Sequence, residues 1–173
     1  MYQRKKLSWS SDSSDIYDLS RCEECGGYYC NVMYFQKDFK SWTSGNNDID
    51  KFIKNAQLSS HSGNKALEWI PYDKLHNIKY IEKIGVFKAN WIDGYINNWD
   101  NINQNWVRYG KNMVITLKCL SNPKIGASNF INKIETDYKF YGITQDPQTK
   151  DYMMVLNDKC KKCNNLIIAQ KKH

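Results

Sequence analysis

The stretch Lys111–Leu120, KNMVITLKCL, restricts the fold more than any other. It alternates β-branched and apolar residues and carries one lysine in its interior. A period of two through Val114, Ile115 and Thr116 predicts a strand. It sets Val114, Thr116 and Lys118 on one face and Ile115, Leu117 and Cys119 on the other. Lys118 then reads in two ways. As an edge residue, its ammonium snorkels to water over an apolar stem. As a cleft residue, it holds a phosphate. The strand pattern alone leaves both open.

The rest of the chain bounds the setting of that strand. With 173 residues and 14% aromatics there is material for one core and a small appended module. The apolar runs MVITL, YMMVL and NLIIA are far too short to span a bilayer, so no membrane partner is expected. The opening MYQRKKLSWSSDSSD has no apolar secretory region, which predicts a cytoplasmic protein. In that compartment its six cysteines are thiols or metal ligands rather than disulfides. The net charge of +7 comes from lysines scattered as solvated faces, with tight clusters only at Arg4-Lys5-Lys6 and Lys171-Lys172-His173. No recognition motif points to nucleic acid.

Residues 1–20 form a Ser/Asp-rich leader, predicted to be disordered. CEECGGYYC follows, with Cys22, Cys25 and Cys30 close together. A C-x-x-C pair puts two thiolates on one tight turn, the spacing that tetrahedral zinc sites use. Three sulfurs do not close such a site. The fourth ligand is Cys160 or Cys163 of the distant CKKC, or His61. One version of the zinc site uses Cys22, Cys25, Cys160 and Cys163, and free thiols are the competing reading.

Asn31–Trp42 predicts an amphipathic helix with Phe35, Phe39 and Trp42 along one side. Thr43–Asn46 breaks it. Asn47 is expected to cap a second helix striped by Ile49, Phe52, Ile53 and Ala56. Residues 21–64 thus form a cysteine segment plus two helices, suited to binding a protein partner. A main domain over 72–158 starts after Pro71. It reads as strands at Ile78–Lys83, Val86–Ile92 and the Lys118 run, then a short helix at Ala127–Glu135. Strands at Tyr138–Thr144 and Tyr152–Leu156 complete it, and an Asn/Trp-rich hairpin up to Tyr109 interrupts the series. A basic tail occupies 159–173. The class is α+β: a five-stranded antiparallel sheet with one short helix, preceded by the cysteine segment and two helices.

Strands, helix and strand-three lysine follow the order of a protein-kinase small lobe. The segments SWTSGNNDIDKFI, EWIPYDKL, IKYIEKIG, KANWIDGYI and FYGITQDPQTKDYMMVL resemble the tyrosine-kinase-like kinases expanded in arbuscular mycorrhizal fungi, over about Cys22 to Leu156. That resemblance implies ATP binding and phosphorylation of protein Ser/Thr or Tyr. Lys118 matches the lysine that pairs with the α/β-phosphates. Thr116 stands at the small residue that packs on adenine, and Val86 matches the apolar roof of the base. Ala89 follows the roof as the family has it, Leu156 backs the pocket before the hinge, and Gly85 remains from the phosphate loop.

The chain also departs from the family. Its phosphate loop is reduced to Ile84-Gly85, too short to cover a triphosphate. Lys133 stands where the family has the glutamate that pairs with the strand-three lysine, and would repel Lys118. Glu135 lies on another side of that helix. Neither a His-Arg-Asp loop nor an Asp-Phe-Gly triplet occurs in these 173 residues, so the catalytic base and Mg²⁺ ligands of the family are missing from them. The expectation is a kinase-like small lobe without phosphotransferase activity. A non-catalytic, zinc-stabilised interaction module is the alternative. The apolar lobe face is expected to drive self-association.

Overall fold

Apolar spacing and a single asparagine account for the helical half. The computed structural model describes residues 21–28, 30–61, 66–82, 86–120 and 139–158. The first helix, α1, covers Asn31–Asp38 and buries Val32 and Phe35. The second, α2, covers Asn47–Leu58 and buries Ile49, Ile53 and Gln57. Its cap is Asn46, one residue earlier than the spacing suggests: Asn46 Oδ1 accepts the amides of Asp48 at 2.9 Å and Ile49 at 3.3 Å. Asp50 ties the preceding turn to the helix, accepting from Thr43 Oγ1 at 2.6 Å and from the Ser44 amide at 2.8 Å.

The strands in chain order are β1 (Glu68–Trp69), β2 (Leu75–Ile81), β3 (Val86–Trp91), β4 (Tyr95–Asp100), β5 (Asn105–Tyr109), β6 (Met113–Cys119), β7 (Phe140–Gln145) and β8 (Tyr152–Asn157). Six of them form one sheet in the order β1-β7-β8-β6-β3-β2, and β4 and β5 form a separate hairpin. The class is α+β, but the sheet is six-stranded and mixed rather than five-stranded and antiparallel. Strands β2, β3, β6, β8 and β7 pair antiparallel in turn. The addition is β1, which lies parallel to β7 with Glu68 opposite Gly142 and Trp69 opposite Ile143. Gly142 is why it fits. At φ +155, a Cβ there would overlap the Glu68 main chain.

Parity along β6 sets the core. Ile115 and Leu117 are fully buried against Ile70, Leu75, Ala89, Trp91, Tyr141, Met153 and Val155. Each such aliphatic side chain contributes roughly 1.5–3 kcal/mol when removed from water. A second cluster, Ile49, Ile53, Leu67 and Ile143, glues α2 to the β1–β7 edge. The helical stripe read from the sequence therefore faces the sheet.

The hairpin is held by a buried charge pair and by stacked rings. Arg108 Nη2 lies 2.6 Å from Glu68 Oε2, Nη1 donates to the Gly94 carbonyl at 2.7 Å, and Glu68 Oε1 accepts the Ile96 amide at 3.1 Å. Burial pushes the Glu68 carboxyl above the usual range, opposed by the Arg108 guanidinium. Tyr34 stacks on Trp99 at 4.6 Å and Phe35 on Trp106 at 4.4 Å, while Trp99 and Trp106 meet edge to face. Among the described residues, no helix is long and apolar enough to cross a membrane. The leader, the Ala127–Glu135 segment with Lys133 and Glu135, and the tail lie outside the described residues.

Candidate metal centre

The sequence Cys-Glu-Glu-Cys-Gly-Gly folds back on itself because its second half can adopt what a turn requires. The Gly26 amide donates to the Cys22 carbonyl at 2.8 Å, and the Cys22 amide donates to the Gly27 carbonyl at 3.0 Å. Gly26 takes φ +66, and Arg21 and Tyr28 close the turn as an antiparallel bridge. The turn aims main-chain amides at sulfur. Hydrogen bonding from the Cys25 amide, helped by that of Glu24, lowers the Cys22 thiol from an ordinary 9.0 to about 6, against the opposing pull of burial.

Cys30 comes from the start of α1, where it is the residue before the first helical turn. It is buried beside Cys22 and Val32. Burial pushes its thiol up to about 12. A thiol that resists ionisation alone is one that a bound cation would have to deprotonate.

His61 arrives from the far end of α2. The helix terminates over Ser59 and Ser60, with Ser60 Oγ donating to the Ala56 carbonyl at 2.8 Å. That ending leaves His61 Nδ1 3.2 Å from Cys30 Sγ and 3.6 Å from Cys22 Sγ. The ligand atoms of Cys22, Cys25, Cys30 and His61 all lie within 4.8 Å of one another. A tetrahedral ion with Zn–S of about 2.3 Å and Zn–N of about 2.0 Å separates its sulfur and nitrogen ligands by about 3.5 Å. The donor set fits zinc. Three soft sulfurs and one imidazole form a closed Cys₃His set, and carboxylate-preferring Mg²⁺ and Ca²⁺ are poor matches for it.

The other imidazole nitrogen completes the arrangement. His61 Nε2 lies 3.2 Å from Glu24 Oε2. A carboxylate there fixes which nitrogen carries the proton and leaves Nδ1 as the electron-pair donor toward the sulfurs. Sequence reading passed over Glu24. The only signal was its place inside C-E-E-C, and its role emerges once His61 is known to close the set. Cys160 and Cys163 lie outside the described residues; within the described ones, His61 is the fourth member of the cluster.

Of the six positions aligned to a nucleotide site, five lie among the described residues, and four of these fall together. Val86, Thr116, Lys118 and Leu156 share one sheet face through the pairings of β3, β6 and β8, with Thr116 and Leu156 buried. Lys118 is exposed there, and no carboxylate among the described residues pairs with it. Ala89 is a correction. It stands three residues after Val86, so alternation turns it to the opposite face, where it is 2% exposed in the core. Gly85 lies outside the described residues. The lysine held on that face is Lys88, which sequence reading missed. Its Nζ donates to Thr116 Oγ1 at 2.8 Å and pairs with Asp158. Among the described residues nothing assembles an ATP site. No protein-family model matches the chain, and neither does any curated protein or solved structure.

Proposed function

We propose that Cys22, Cys25, Cys30 and His61 hold a structural zinc ion that locks residues 21–61 into a non-catalytic interaction module carried on a kinase-small-lobe-like sheet. The single observation behind this reading is the closed cluster of four donor atoms within 4.8 Å. Four protein ligands saturate a tetrahedral ion and leave no position for water or substrate, which is how structural sites differ from catalytic ones. Zinc would join three separate pieces of chain: the turn, the start of α1 and the end of α2. The turn stays exposed at Glu23 and Tyr28, where a protein partner would meet it. Elemental analysis tests this directly. The purified chain should carry zinc in about equimolar amount, and His61→Ala together with Cys30→Ser should abolish it. Protein that folds with both helices intact and carries no zinc overturns the proposal.

The kinase-like ancestry of the sheet is a second part of the same reading. It is supported by five contiguous antiparallel strands with the Lys118-bearing strand at their centre. It is also supported by the segments EWIPYDKL and FYGITQDPQTKDYMMVL. The face keeps its roof residue Val86 and the lysines Lys88 and Lys118, but Lys88 is taken by Thr116 and Asp158. Phosphotransfer needs a base and metal ligands that this stretch does not contain. A thermal-shift titration with ATP and Mg²⁺ should give no saturable rise in Tm. A rise that Lys118→Met removes would restore the nucleotide reading.

A further inference from the structure

A second concave site lies between the helices and the hairpin, apart from the metal cluster. It is a cavity of about 200 Å³ whose described lining includes neither Cys22, Cys25, Cys30 and His61 nor Val86, Ala89, Thr116, Lys118 and Leu156. Drug-sized sites run to roughly 300–1,000 Å³, so this one suits a single side chain or a small solute. Four of its lining residues are aromatic: Phe35, Trp42, Trp69 and Trp106. Asp38 and Gln57 also line it, as does the Glu68–Arg108 pair.

The chemistry of that lining selects for a cation that can donate hydrogen bonds. Gln57 is 4% exposed, and its Nε2 donates to the Leu67 carbonyl at 2.8 Å. Its Oε1 is buried and accepts from no donor among the described residues. A buried acceptor left in that condition costs folding energy, and a ligand N–H that reached it from the cavity would recover that cost. Glu68 and Arg108 satisfy each other. The lining therefore carries two carboxylates against one guanidinium, and Asp38, whose Oδ1 accepts from Ser41 Oγ, has no ion-pair partner among the described residues. Aromatic rings attract ammonium and guanidinium groups electrostatically. The protein already seats its own cations this way: Lys139 Nζ lies 3.9 Å from the Tyr95 ring centre and Lys54 Nζ 5.0 Å from that of Trp42. Lys54 thus engages Trp42, so Trp69 and Trp106 are the rings that would serve a ligand. Trp106 is held in place beforehand by Phe35 and Trp99, which reduces the ordering cost of binding.

We infer that this cavity receives a lysine or arginine side chain from a basic partner peptide. The inference stands whether or not the cysteine cluster holds zinc. Its test uses the full chain, with zinc content measured on the same sample. Indole N–H resonances are followed by ¹H–¹⁵N NMR while n-butylammonium, n-butylguanidinium, n-butanol and n-butyrate are titrated in turn. Saturable shifts of Trp69 and Trp106 are expected with the two cations only. The same shifts should follow with the capped tripeptide Gly-Lys-Gly and not with its norleucine counterpart. Asp38→Asn should weaken cation binding about fivefold, the upper end of what an exposed charge pair supplies. Gln57→Met should weaken it further while the amide spectrum stays that of the folded chain. Butanol binding as well as the cations would show a merely apolar cavity and overturn the inference. Absence of saturable shifts with any cation would overturn it equally.

Discussion

The cysteine turn and the lysine face are both clusters of chemistry-bearing residues, yet only the first gathers its donor atoms to within 4.8 Å of one another. At the turn, three pieces of chain separated in sequence bring Cys22, Cys25, Cys30 and His61 within 4.8 Å, with Glu24 behind the imidazole. On the sheet, strand pairing brings Val86, Lys88, Thr116, Lys118 and Leu156 onto one surface. There the charges disperse: Lys88 is paired with Asp158, while Lys118 is exposed. Shared parity places residues side by side. A site also requires that their functional atoms converge on one point and leave something unsatisfied there.

The comparison can be broken at its strongest point by testing the proposed zinc. If the cluster holds zinc, chelation by EDTA, or Cys30→Ser, should unfold the turn and loosen both helices. Structural zinc supplies roughly 10–16 kcal/mol in isolated zinc-finger peptides. Hydrogen exchange should then show fast amides in 21–61 and protected ones in β6 and β8. Equal loss of protection in both regions would mean that they form one cooperative unit.

Next in size is the joint between the hairpin and the sheet. Arg108→Met leaves Glu68 buried without its partner and should cost about 3–5 kcal/mol in urea unfolding. The pH dependence has a definite sign. Glu68 titrates above its unfolded value, so its contribution is complete below the unfolded carboxyl pKa and is lost as pH rises through the folded one. The deficit of the variant should therefore shrink as pH is lowered toward the ordinary carboxylate range. Gly142→Ala, which forces a Cβ onto the Glu68 main chain, should cost roughly 2 kcal/mol or more and detach β1.

Smaller effects sharpen the contrast. Asp50→Asn should cost about 1 kcal/mol by weakening the turn ahead of α2. Burial would raise the Asp50 carboxyl, but hydrogen bonds from Ser44 and Thr43 outweigh it and hold the group below its usual value. That contribution is whole above the ordinary carboxylate pKa and disappears as pH falls through the lowered one. Smallest of all should be Lys118→Met, within about 0.5 kcal/mol, as for an ordinary surface position. Lys88→Met, which strands Asp158 and Thr116, should cost more than Lys118→Met in the same melts.

Local pattern made much of this legible. Alternation along β6 identified Ile115 and Leu117 as core, and helical spacing identified Ile49 and Ile53. The C-x-x-C spacing marked the turn at Cys22, whereas Asp93-Gly94, which reads as a hairpin turn, instead joins two strands that do not pair, β3 and β4. What escaped depends on partners distant in the chain. β1 is too short to show a period, and it exists because Gly142 lets Glu68 approach. His61 could be named among three candidates but not chosen, since its selection follows from where α2 ends relative to the turn. Lys88 was overlooked because a lysine on a strand carries no signal until Thr116 and Asp158 stand beside it. Ala89, three residues on from Val86, falls by alternation on the opposite face of β3, in the core.

The two-residue strand β1 has a consequence for how copies of this chain could meet. By lying along β7 it covers that strand's outer margin at Gly142 and Ile143, and Pro71 stops it from offering a longer margin of its own. On the opposite border, β2 is distorted at Asn77, which takes φ +54 where the register slips between His76 and Lys79. Neither described border presents a straight template for strand addition. Growth of the sheet from one molecule into the next is discouraged where β1 covers β7 and where β2 is kinked.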